Sequence, residues 1–417
     1  MTERSTIETR SERAAAVVVL AGVSAALHVA KLPPAIAALQ AALGLSLLQA
    51  GFLLSLVQLA GMSAGVAFGA LADALGYRRS MLLGLGLLTL ASAAGGSAGG
   101  LSALLLLRAV EGFGFLLVVL PAPGLIRRLV PPQQLSRVLG LWGTYMPFGA
   151  ALALLAGPLW IGAFGWRAWW WLLAALTLAM ALWLARAVPA TAAGAAAQPM
   201  PWLQRLQRTL SVPGPWLVAL TFAVYAGQWL AVVGFLPTIY LQAGVSGAAT
   251  GVLTALAAAV NMGGNVASGR LLQAGAPPTR LLNTGFVTMG LAAALAFAAV
   301  DGVQAPAALR YAAVLVFSAV GGLIPATLFT LAVRLAPGEQ TLSASVGWMQ
   351  QWSAFGQFTG PPLVAWLADR SGGWQWTWAA TGACSLIGLL LARQIAVLLQ
   401  RRATAGGLAD NRRSPGP

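Results

Sequence analysis

Four ionisable side chains interrupt the apolar sequence in two pairs. His28 and Lys31, the only histidine and the only lysine of the chain, lie three residues apart in the stretch HVAKLPPAI. Arg108 and Glu111 have the same spacing in RAVEGFG. Because a charge inside a bilayer costs at least about 2.5 kcal/mol, such side chains normally face a polar cavity or a partner. The chemistry that these residues offer is ion binding and proton exchange.

The four side chains predict a site with net positive charge. Lys31, Arg108 and Glu111 sum to +1 when all three are ionised, which favours an anionic ligand. We expect Lys31 and Arg108 to anchor that ligand, and Glu111, with Arg108 and His28, to respond to protons. Each residue also has a simpler interpretation. Lys31 could snorkel to the headgroups, His28 could be a neutral packing residue, and Arg108 and Glu111 could form a structural ion pair.

The composition indicates that these residues belong to a membrane protein. Hydrophobic residues make up 59% of the 417 residues and charged residues only 8%, whereas soluble domains contain about 25% charged residues. The apolar segments have the roughly 20 residues that a helix needs to cross a bilayer, and they lack the alternating polarity of barrel strands. The expected fold is an all-α integral membrane protein with 12 transmembrane helices in two six-helix halves. These helices span approximately residues 14–36, 46–70, 80–98, 101–126, 138–161, 167–188, 215–240, 247–272, 281–300, 307–333, 342–367 and 374–398.

The arginines predict an orientation in the membrane. When the N-terminus is placed in the cytoplasm, 19 arginines fall in the tails and cytoplasmic loops, and three, Arg167, Arg310 and Arg370, fall on the other side. Positive residues accumulate on the cytoplasmic side of membrane proteins. We therefore expect both termini to be cytoplasmic in a bacterial inner membrane. The net charge of +15 is attributed to topology rather than to nucleic-acid binding.

The sequence offers no motif for an enzyme, a cofactor or a metal. It lacks a Walker loop and a nucleophile with a nearby base, and its sole cysteine, Cys384, lies in an apolar stretch. The tryptophan-rich stretches WRAWWW (166–171) and WQWTW (374–378) are expected to form an aromatic belt at the outer membrane interface.

The two halves of the chain repeat each other. AGVAFGALADALG at 64–76 aligns with GNVASGRLLQAGA at 264–276, and LVPPQQLSRVLG at 129–140 aligns with LAPGEQTLSASVG at 335–347. Internal repeats are typical of transporters. The expected division is an N-terminal six-helix bundle at 1–189, a cytoplasmic linker at 190–214 and a C-terminal six-helix bundle with a short cytoplasmic tail at 215–417.

Helix breaks and neutral polar residues are expected to complete the site. Pro33 and Pro34 interrupt segment 1 beside Lys31, Pro237 lies at the equivalent place in the second half, and GGLIP (321–325) predicts a break in segment 10. Transporters often build their sites from such broken helices. Amide and aromatic side chains would line the site, with helix packing as the alternative role for each. They are Gln58, Tyr145, Gln228, Trp229, Asn261, Asn265, Gln350, Gln351 and Gln357.

Two motifs carry a family resemblance. GALADALGYRR (69–79), between segments 2 and 3, resembles the loop motif of the major facilitator superfamily, and RAVEGFG is similar to that family's R-x-x-q-G motif. The resemblance implies secondary transport by alternating access, in which two halves rock about a central site, and a gating role for the loop. Its gating residues would be Gly69, Asp73, Gly76, Arg78 and Arg79. GFLPTIYLQAGVSGAATG (234–251) and LGLWGTYMPFGAALALLAGP (139–158) are most similar to the branch of cyanate and nitroimidazole transporters.

The expected protein is a monomeric, proton-coupled transporter of a small anion or small polar organic solute, working in the lipid bilayer without a cofactor. A proton-coupled drug exporter is the first alternative, because Gly149 and AGP (156–158) are similar to the antiporter motif of segment 5. A non-transporting membrane sensor is the second alternative. The short tails disfavour it, since they supply no soluble effector domain.

Overall fold

The chain is almost entirely helical in the computed structural model, which describes residues 2–131, 134, 138, 141–189, 201–300 and 302–411. The helices described in the first 189 residues are α1 (Thr2–Ala30), α2 (Ile36–Leu43), α3 (Leu47–Ser55), α4 (Leu59–Leu75), α5 (Tyr77–Gly96), α6 (Leu101–Val119), α7 (Ala122–Leu129) and α8 (Tyr145–Ala187). Short 3-10 turns at Pro33–Ala35 and Leu56–Gln58 connect α1 to α2 and α3 to α4.

The second half has the same all-helical character. Its helices are α9 (Trp202–Leu210), α10 (Pro213–Gln242), α11 (Gly247–Gln273), α12 (Pro278–Phe297), α13 (Ala307–Gly321), α14 (Leu323–Leu335), α15 (Leu342–Ser371) and α16 (Thr377–Asn411). One small antiparallel hairpin, β1 (Ala299–Val300) and β2 (Val303–Gln304), connects α12 to α13.

The predicted membrane segments all have helical counterparts. Ten stretches of the described residues are long and apolar enough to cross a membrane. The longest, α8, has 43 residues and is broken at Gly165, whose φ of 80° is a left-handed conformation that glycine adopts without strain. This break divides α8 into two crossings. The 30-residue α15, which carries several glutamines, is also long enough to cross, although it is not one of these ten stretches. The predicted all-α membrane fold is confirmed.

The proline pair breaks the first membrane segment as predicted. α1 ends at Ala30, and the chain resumes as a helix at Ile36 after the 3-10 turn. A second predicted break separates α13 from α14 at Gly322. In contrast, α10 continues as a helix through Pro237. Each proline removes a backbone donor and so weakens the turn before it, but neighbouring helices can compensate for the lost bond in a membrane helix. They do so in α10 and also in α15, which continues as a helix through the pair Pro361 and Pro362.

Each half packs mainly within itself, and the two halves meet along two lines. In the first half α1 and α5 pack on α8, and in the second half α10 packs on α15 and α12 on α16. Between the halves, α3 and α4 lie along α15, while α8 lies along α11. Helix pairs from different halves therefore form the surface at which the halves contact each other.

Small residues allow these helices to approach closely. Gly51 of α3 lies against Pro361 and Pro362, and Gly61 of α4 lies against Ala354. Membrane helices associate through close packing, because lipid chains are as apolar as the helix surfaces and provide no hydrophobic driving force. A larger side chain at either glycine would push the two halves apart.

The outer surface suits hydrocarbon. Leu90, Leu106 and Leu291 are 70%, 67% and 69% exposed on three different helices. The hydrocarbon of a bilayer solvates such exposed apolar side chains, whereas it offers no hydrogen bonds to polar groups.

The expected linker is described only in part. Residues 190–200 lie outside the described residues, and the rest of the linker contains α9, a helix with two arginines among apolar residues. The domain boundaries themselves stay a prediction.

Candidate functional site

The structure brings the four ionisable membrane residues into one buried cluster. His28, Lys31, Arg108 and Glu111 are each at most 1% exposed. His28 lies in the last turn of α1, and Lys31 follows directly after the end of that helix. Arg108 and Glu111 lie one turn apart on α6. The charge cluster therefore lies inside the N-terminal half, and Lys31 does not snorkel to a membrane surface.

Glu111 is the centre of the charge cluster. Its Oε1 accepts a hydrogen bond from Lys31 Nζ, and its Oε2 accepts one from Arg108 Nη1 at 2.6 Å. Lys31 and Glu111 are 80 residues apart in the sequence. A buried charge is tolerated when a partner of opposite charge and good hydrogen-bond geometry offset its desolvation. Two cations thus share one carboxylate, which leaves a net charge of +1 when all three groups are ionised.

Arg108 also connects three helices. Its Nη1 donates to the carbonyl oxygen of His28 at 2.6 Å, and its Nε donates to the carbonyl oxygen of Leu53 at 3.2 Å. The His28 carbonyl lies in the last turn of α1, where carbonyls lack partners within the helix. The Nη2 atom of Arg108 has no partner among the described residues. The guanidinium thus ties α6 to the end of α1 and to α3.

His28 belongs to a short chain of hydrogen bonds. Its Nε2 lies 2.7 Å from Thr177 Oγ1, and Thr177 Oγ1 lies 3.0 Å from Ser24 Oγ. Its Nδ1 has no hydrogen-bond partner among the described residues and lies 3.7 Å from Glu111 Oε1. Two hydroxyl groups and the imidazole are therefore connected in series, and the imidazole ends near the central carboxylate.

Sequence reasoning missed the residues that enclose Lys31. Its Nζ donates to Ser92 Oγ at 3.0 Å and lies 4.7 Å from the ring centroid of Trp170. Trp169 Nε1 donates to the Lys31 carbonyl oxygen at 3.1 Å. These two tryptophans are at most 2% exposed, so the prediction that all of WRAWWW belongs to an interfacial belt is wrong for them. Trp171, at 48% exposure, is accessible from outside the bundle.

Gln58 and Gln357 meet where the halves contact each other. Gln58 Nε2 donates to Gln357 Oε1 at 3.1 Å, and Gln357 Nε2 donates to Ser353 Oγ at 3.2 Å. Gln58 lies in the 3-10 turn between α3 and α4, and Gln357 lies on α15. This pair is a hydrogen bond from one half to the other.

The second half contains a neutral polar network. Asn261 Nδ2 donates to the hydroxyl of Tyr225 at 3.1 Å and to the carbonyl oxygen of Ser318 at 2.8 Å. Asn265 donates to Asn261, and Trp229 Nε1 donates to Ser318 Oγ at 3.1 Å. These residues hold α10, α11 and α13 together through side chains that satisfy one another.

The remaining predicted residues are spread over both halves. Gln228 Oε1 accepts from Ser385 Oγ at 3.2 Å, within the second half. Tyr145 stacks on Trp142 with ring centroids 4.4 Å apart, in the first half. Gln350 and Gln351 are half-buried on α15. The structure therefore brings the charged candidates together in one cluster, whereas the neutral candidates form several separate groups.

The loop motif positions an arginine against another helix. Gly76 has a φ of 85° and precedes α5, a turn that requires glycine. Arg78 donates to the carbonyl oxygens of Ala185 at 2.6 Å and Val188 at 2.8 Å, at the end of α8. A cation stabilises the negative end of a helix dipole. Arg79 is exposed. Two further motif residues, Gly69 and Asp73, lie in α4, and their side-chain environment is outside the described residues.

The sequence of this bundle matches a family model. Residues 16–354 match the model described as Major Facilitator Superfamily. The chain belongs to this superfamily. It is accordingly a multi-pass membrane protein of a transporter family. The resemblance carried by the two sequence motifs is confirmed at the level of the superfamily.

Two curated superfamily proteins are similar to parts of the chain. The tetracenomycin C resistance and export protein of Streptomyces glaucescens is 31% identical over 100 residues, which cover 24% of this chain and 19% of the relative. The uncharacterized MFS-type transporter Rv1250 of Mycobacterium tuberculosis is 32% identical over 99 residues, which cover 24% of this chain and 17% of the relative. Each match spans less than a fifth of the relative's length.

Solved structures with the superfamily fold resemble the whole chain. Two crystal structures of a bacterial homologue of the human lysosomal transporter Spinster, both inward-facing, superpose with TM-scores of 0.71 for the unoccupied and 0.72 for the occupied form. Each match covers 94% of this chain and 97% of that chain at 15% sequence identity. This likeness supports the fold alone.

Proposed function

We propose that the chain is a proton-coupled secondary transporter that moves a small anion or small polar organic solute by alternating access. The observation that carries the proposal is the single carboxylate of Glu111 shared by two buried cations, Lys31 and Arg108. The four residues of the charge cluster are its binding and coupling groups. A purely structural ion pair would need only one cation for its one acid, so the second cation supports a role in binding.

Protonation of Glu111 couples the binding of a proton to the binding of the substrate anion. A proton on its carboxylate removes the only negative charge from the charge cluster and leaves Lys31 and Arg108 without a counter-ion. Two uncompensated cations in a low-dielectric environment attract an anion strongly. The substrate anion then replaces the carboxylate as the partner of both cations, so the anion and the proton travel in the same direction.

His28 is the proposed route of the proton. A neutral imidazole can accept a proton at Nε2, from the hydroxyl chain of Ser24 and Thr177, and release one from Nδ1 toward Glu111. The distances of 3.0 and 2.7 Å support a hydrogen-bonded path from Ser24 to His28, and the imidazole must move closer to the carboxylate, now 3.7 Å away, to complete it. His28 has the matching chemistry because its two ring nitrogens exchange donor and acceptor roles.

The movement is a rocking of residues 1–189 against residues 215–417, joined by a linker at 190–214. The Gln58–Gln357 bond and the packing of α3 and α4 on α15 support the existence of a contact that must rearrange in each cycle. The loop motif at residues 69–79 would bias one of the two states. The proposed setting is a monomer in a bacterial inner membrane with both termini in the cytoplasm.

The proposed substrates are those of the cyanate and nitroimidazole branch, to which the stretches at residues 234–251 and 139–158 are most similar. Drug export is a second candidate function. The partial similarity to a resistance and export protein favours it. In that case Glu111 would exchange protons against an outgoing compound.

The test is uptake by the purified full chain in proteoliposomes. The panel contains cyanate, nitrate, formate and acetate, with 2-nitroimidazole as a neutral solute and ethidium as an export probe, each measured with and without an imposed pH gradient. Lys31→Gln removes one anion anchor and is expected to abolish uptake of the transported anion. Glu111→Gln imitates the protonated carboxylate and should keep anion exchange while losing accumulation driven by the pH gradient.

A matched control and the contrary results complete the test. Arg280→Gln removes an exposed positive charge, so uptake should be unchanged. If Lys31→Gln and Arg108→Gln both leave anion uptake intact, the charge cluster is not the substrate site. If ethidium is the only probe that moves, and it moves opposite to the protons, drug export would replace uptake as the proposed function. An absence of flux for every probe would argue against the proposed substrates.

A further inference from the structure

A second candidate site lies in the other half, away from the charge cluster. α10, α15 and α16 enclose a cavity of about 130 Å³. Its walls are mainly apolar and include Gly227, Ala231, Leu363 and Ala380. The sole cysteine of the chain, Cys384, also lines it. Neither the superfamily match nor the proposed function assigns a role to this cavity.

The cavity opens toward the bilayer. Two of its lining residues on α15, Phe355 and Leu363, are 41% and 50% exposed, and Thr359 between them is also exposed. The helix face that contacts the first half is a different one, since it carries Ala354 and Pro361. A ligand can therefore reach the cavity laterally, from the hydrocarbon that surrounds a membrane protein.

Gln228, one of the residues that line the cavity, has an unused hydrogen-bond donor. Gln228 is 2% exposed, and its Oε1 accepts from Ser385, but its Nε2 has no partner among the described residues. The hydroxyls of Thr359 and Thr381 donate to backbone carbonyls of their own helices, at 3.0 and 3.1 Å, and are thereby satisfied. A buried donor without a partner is costly, so a ligand that supplies an acceptor gains from it.

We propose that this cavity binds a lipophilic ring compound that carries one carbonyl-type oxygen and enters from the bilayer. The oxygen accepts a hydrogen bond from Gln228 Nε2, and the ring fills the apolar part. The volume fits one ring, because an engineered apolar cavity of about 150 Å³ binds benzene.

The depth of Gln228 decides between ligand classes. It lies at the middle of the 30-residue α10, roughly 21 Å of helix from either end. The hydrocarbon core of a bilayer extends only about 15 Å from its midplane, so phospholipid ester groups lie near the helix ends rather than at Gln228. A compound dissolved within the hydrocarbon reaches this depth, whereas a phospholipid carbonyl does not.

The experiment uses Cys384 as a reporter without altering the protein. The chain has one cysteine, so the S–H stretching band in the infrared spectrum of the full chain in lipid bilayers comes from this cavity. Cyclohexanone is the probe. Methylenecyclohexane is its matched control, because it has the same shape with a CH₂ group in place of the oxygen. Both are titrated while the position of the band is followed.

We expect cyclohexanone to shift the S–H band saturably, with an apparent affinity roughly two- to tenfold higher than that of methylenecyclohexane, as for one hydrogen bond. Gln228→Leu should make the two affinities equal. Ala380→Leu, which fills the cavity and keeps Gln228, should abolish both shifts and serves as the second variant if Gln228→Leu does not fold.

Two results would overturn the assignment. Equal affinities of both probes for the native chain would show that the Gln228 amide is not a ligand-binding group. A shift that grows without saturation, and is the same in Ala380→Leu, would show partition into the bilayer instead of binding. Neither result depends on transport, so failure here leaves the proposed function untouched, and failure of uptake leaves this site untouched.

Discussion

The charge cluster makes a specific prediction about how two substitutions combine. Glu111→Gln removes the only acid of the charge cluster and leaves Lys31 and Arg108 buried without a counter-ion. Lys31→Met removes one cation and leaves the Arg108–Glu111 pair, with its 2.6 Å hydrogen bond, electrically neutral. We therefore expect Lys31→Met to be the milder single change, and to rescue part of the stability that Glu111→Gln loses.

The magnitudes follow from burial and from the number of unpaired groups. Removing one partner of a buried ion pair costs about 3–5 kcal/mol, so Glu111→Gln should lose about 4 kcal/mol of unfolding free energy. Lys31→Met should lose about 2 kcal/mol, because Ser92 still donates to the Trp170 carbonyl oxygen and is left satisfied. Independent changes would sum to about 6 kcal/mol. With only one cation left unpaired, the double variant should lose about 3 kcal/mol.

The assay is denaturant unfolding of the four proteins in the same detergent, followed by tryptophan fluorescence. Arg280→Gln is the control, and its stability should change by no more than about 0.5 kcal/mol, as for an exposed residue. A double variant that loses as much as the two single variants together would refute the reasoning. In that case Lys31 and Glu111 would not be energetically coupled, whatever their separation.

Substitutions at three further contacts make separate predictions. Thr177→Val removes the hydroxyl bound to His28 and should slow uptake driven by a pH gradient while anion exchange continues. Thr177→Ser keeps a hydroxyl and should restore that uptake. Equal rates in the native chain and both variants would exclude the proton route. Gln58→Leu removes the bond to Gln357 and should shift the balance between the two conformations by about 1 kcal/mol, roughly fivefold, in distances between spin labels on the two halves; unchanged distances would contradict this. Gly356→Leu should prevent close packing of α10 on α15 and lower the yield of monodisperse protein in size-exclusion chromatography, whereas a native yield would show that the contact is dispensable.

The features that could be predicted from the sequence are local ones. Length and apolarity define a membrane helix within its own residues. Pro33 and Pro34 favour the end of α1 because their missing donors act on the preceding turn, although the pair Pro361 and Pro362 leaves α15 unbroken. The presence of Lys31 and Glu111 in membrane segments also predicted that both would need a partner. These inferences required no knowledge of how the helices are arranged.

The identity of the partners was beyond reach of such reasoning. Lys31 and Glu111 pair across 80 residues, and His28 and Thr177 pair across 149. Such pairs depend on the rotation and height of each helix in the bundle, which tertiary packing sets and a single sequence does not reveal. Ser92 gave only a weak signal, as one hydroxyl in an apolar helix. The same limit explains the misassignment of Trp169, whose ring faces the bundle instead of the interface.

The position of α3 connects the charge cluster to the contact between the halves. Arg108 Nε holds the Leu53 carbonyl oxygen, and five residues later Gln58 donates to Gln357 of the other half. The segment between them includes the 3-10 turn at Leu56–Gln58, and Gly112 of α6 lies against the backbone of Val57 there.

In the proposed mechanism, Arg108 changes partner from Glu111 to the substrate, and its guanidinium moves. Any such movement pulls on a stretch of α3 that is less than two turns from the contact between the halves. The charge cluster therefore does not need to lie in a central cleft in order to control the contact between the halves. If spin-label distances respond to Glu111→Gln in the native chain but not in Gln58→Leu, the signal passes through this segment. If they respond equally in both proteins, it passes elsewhere.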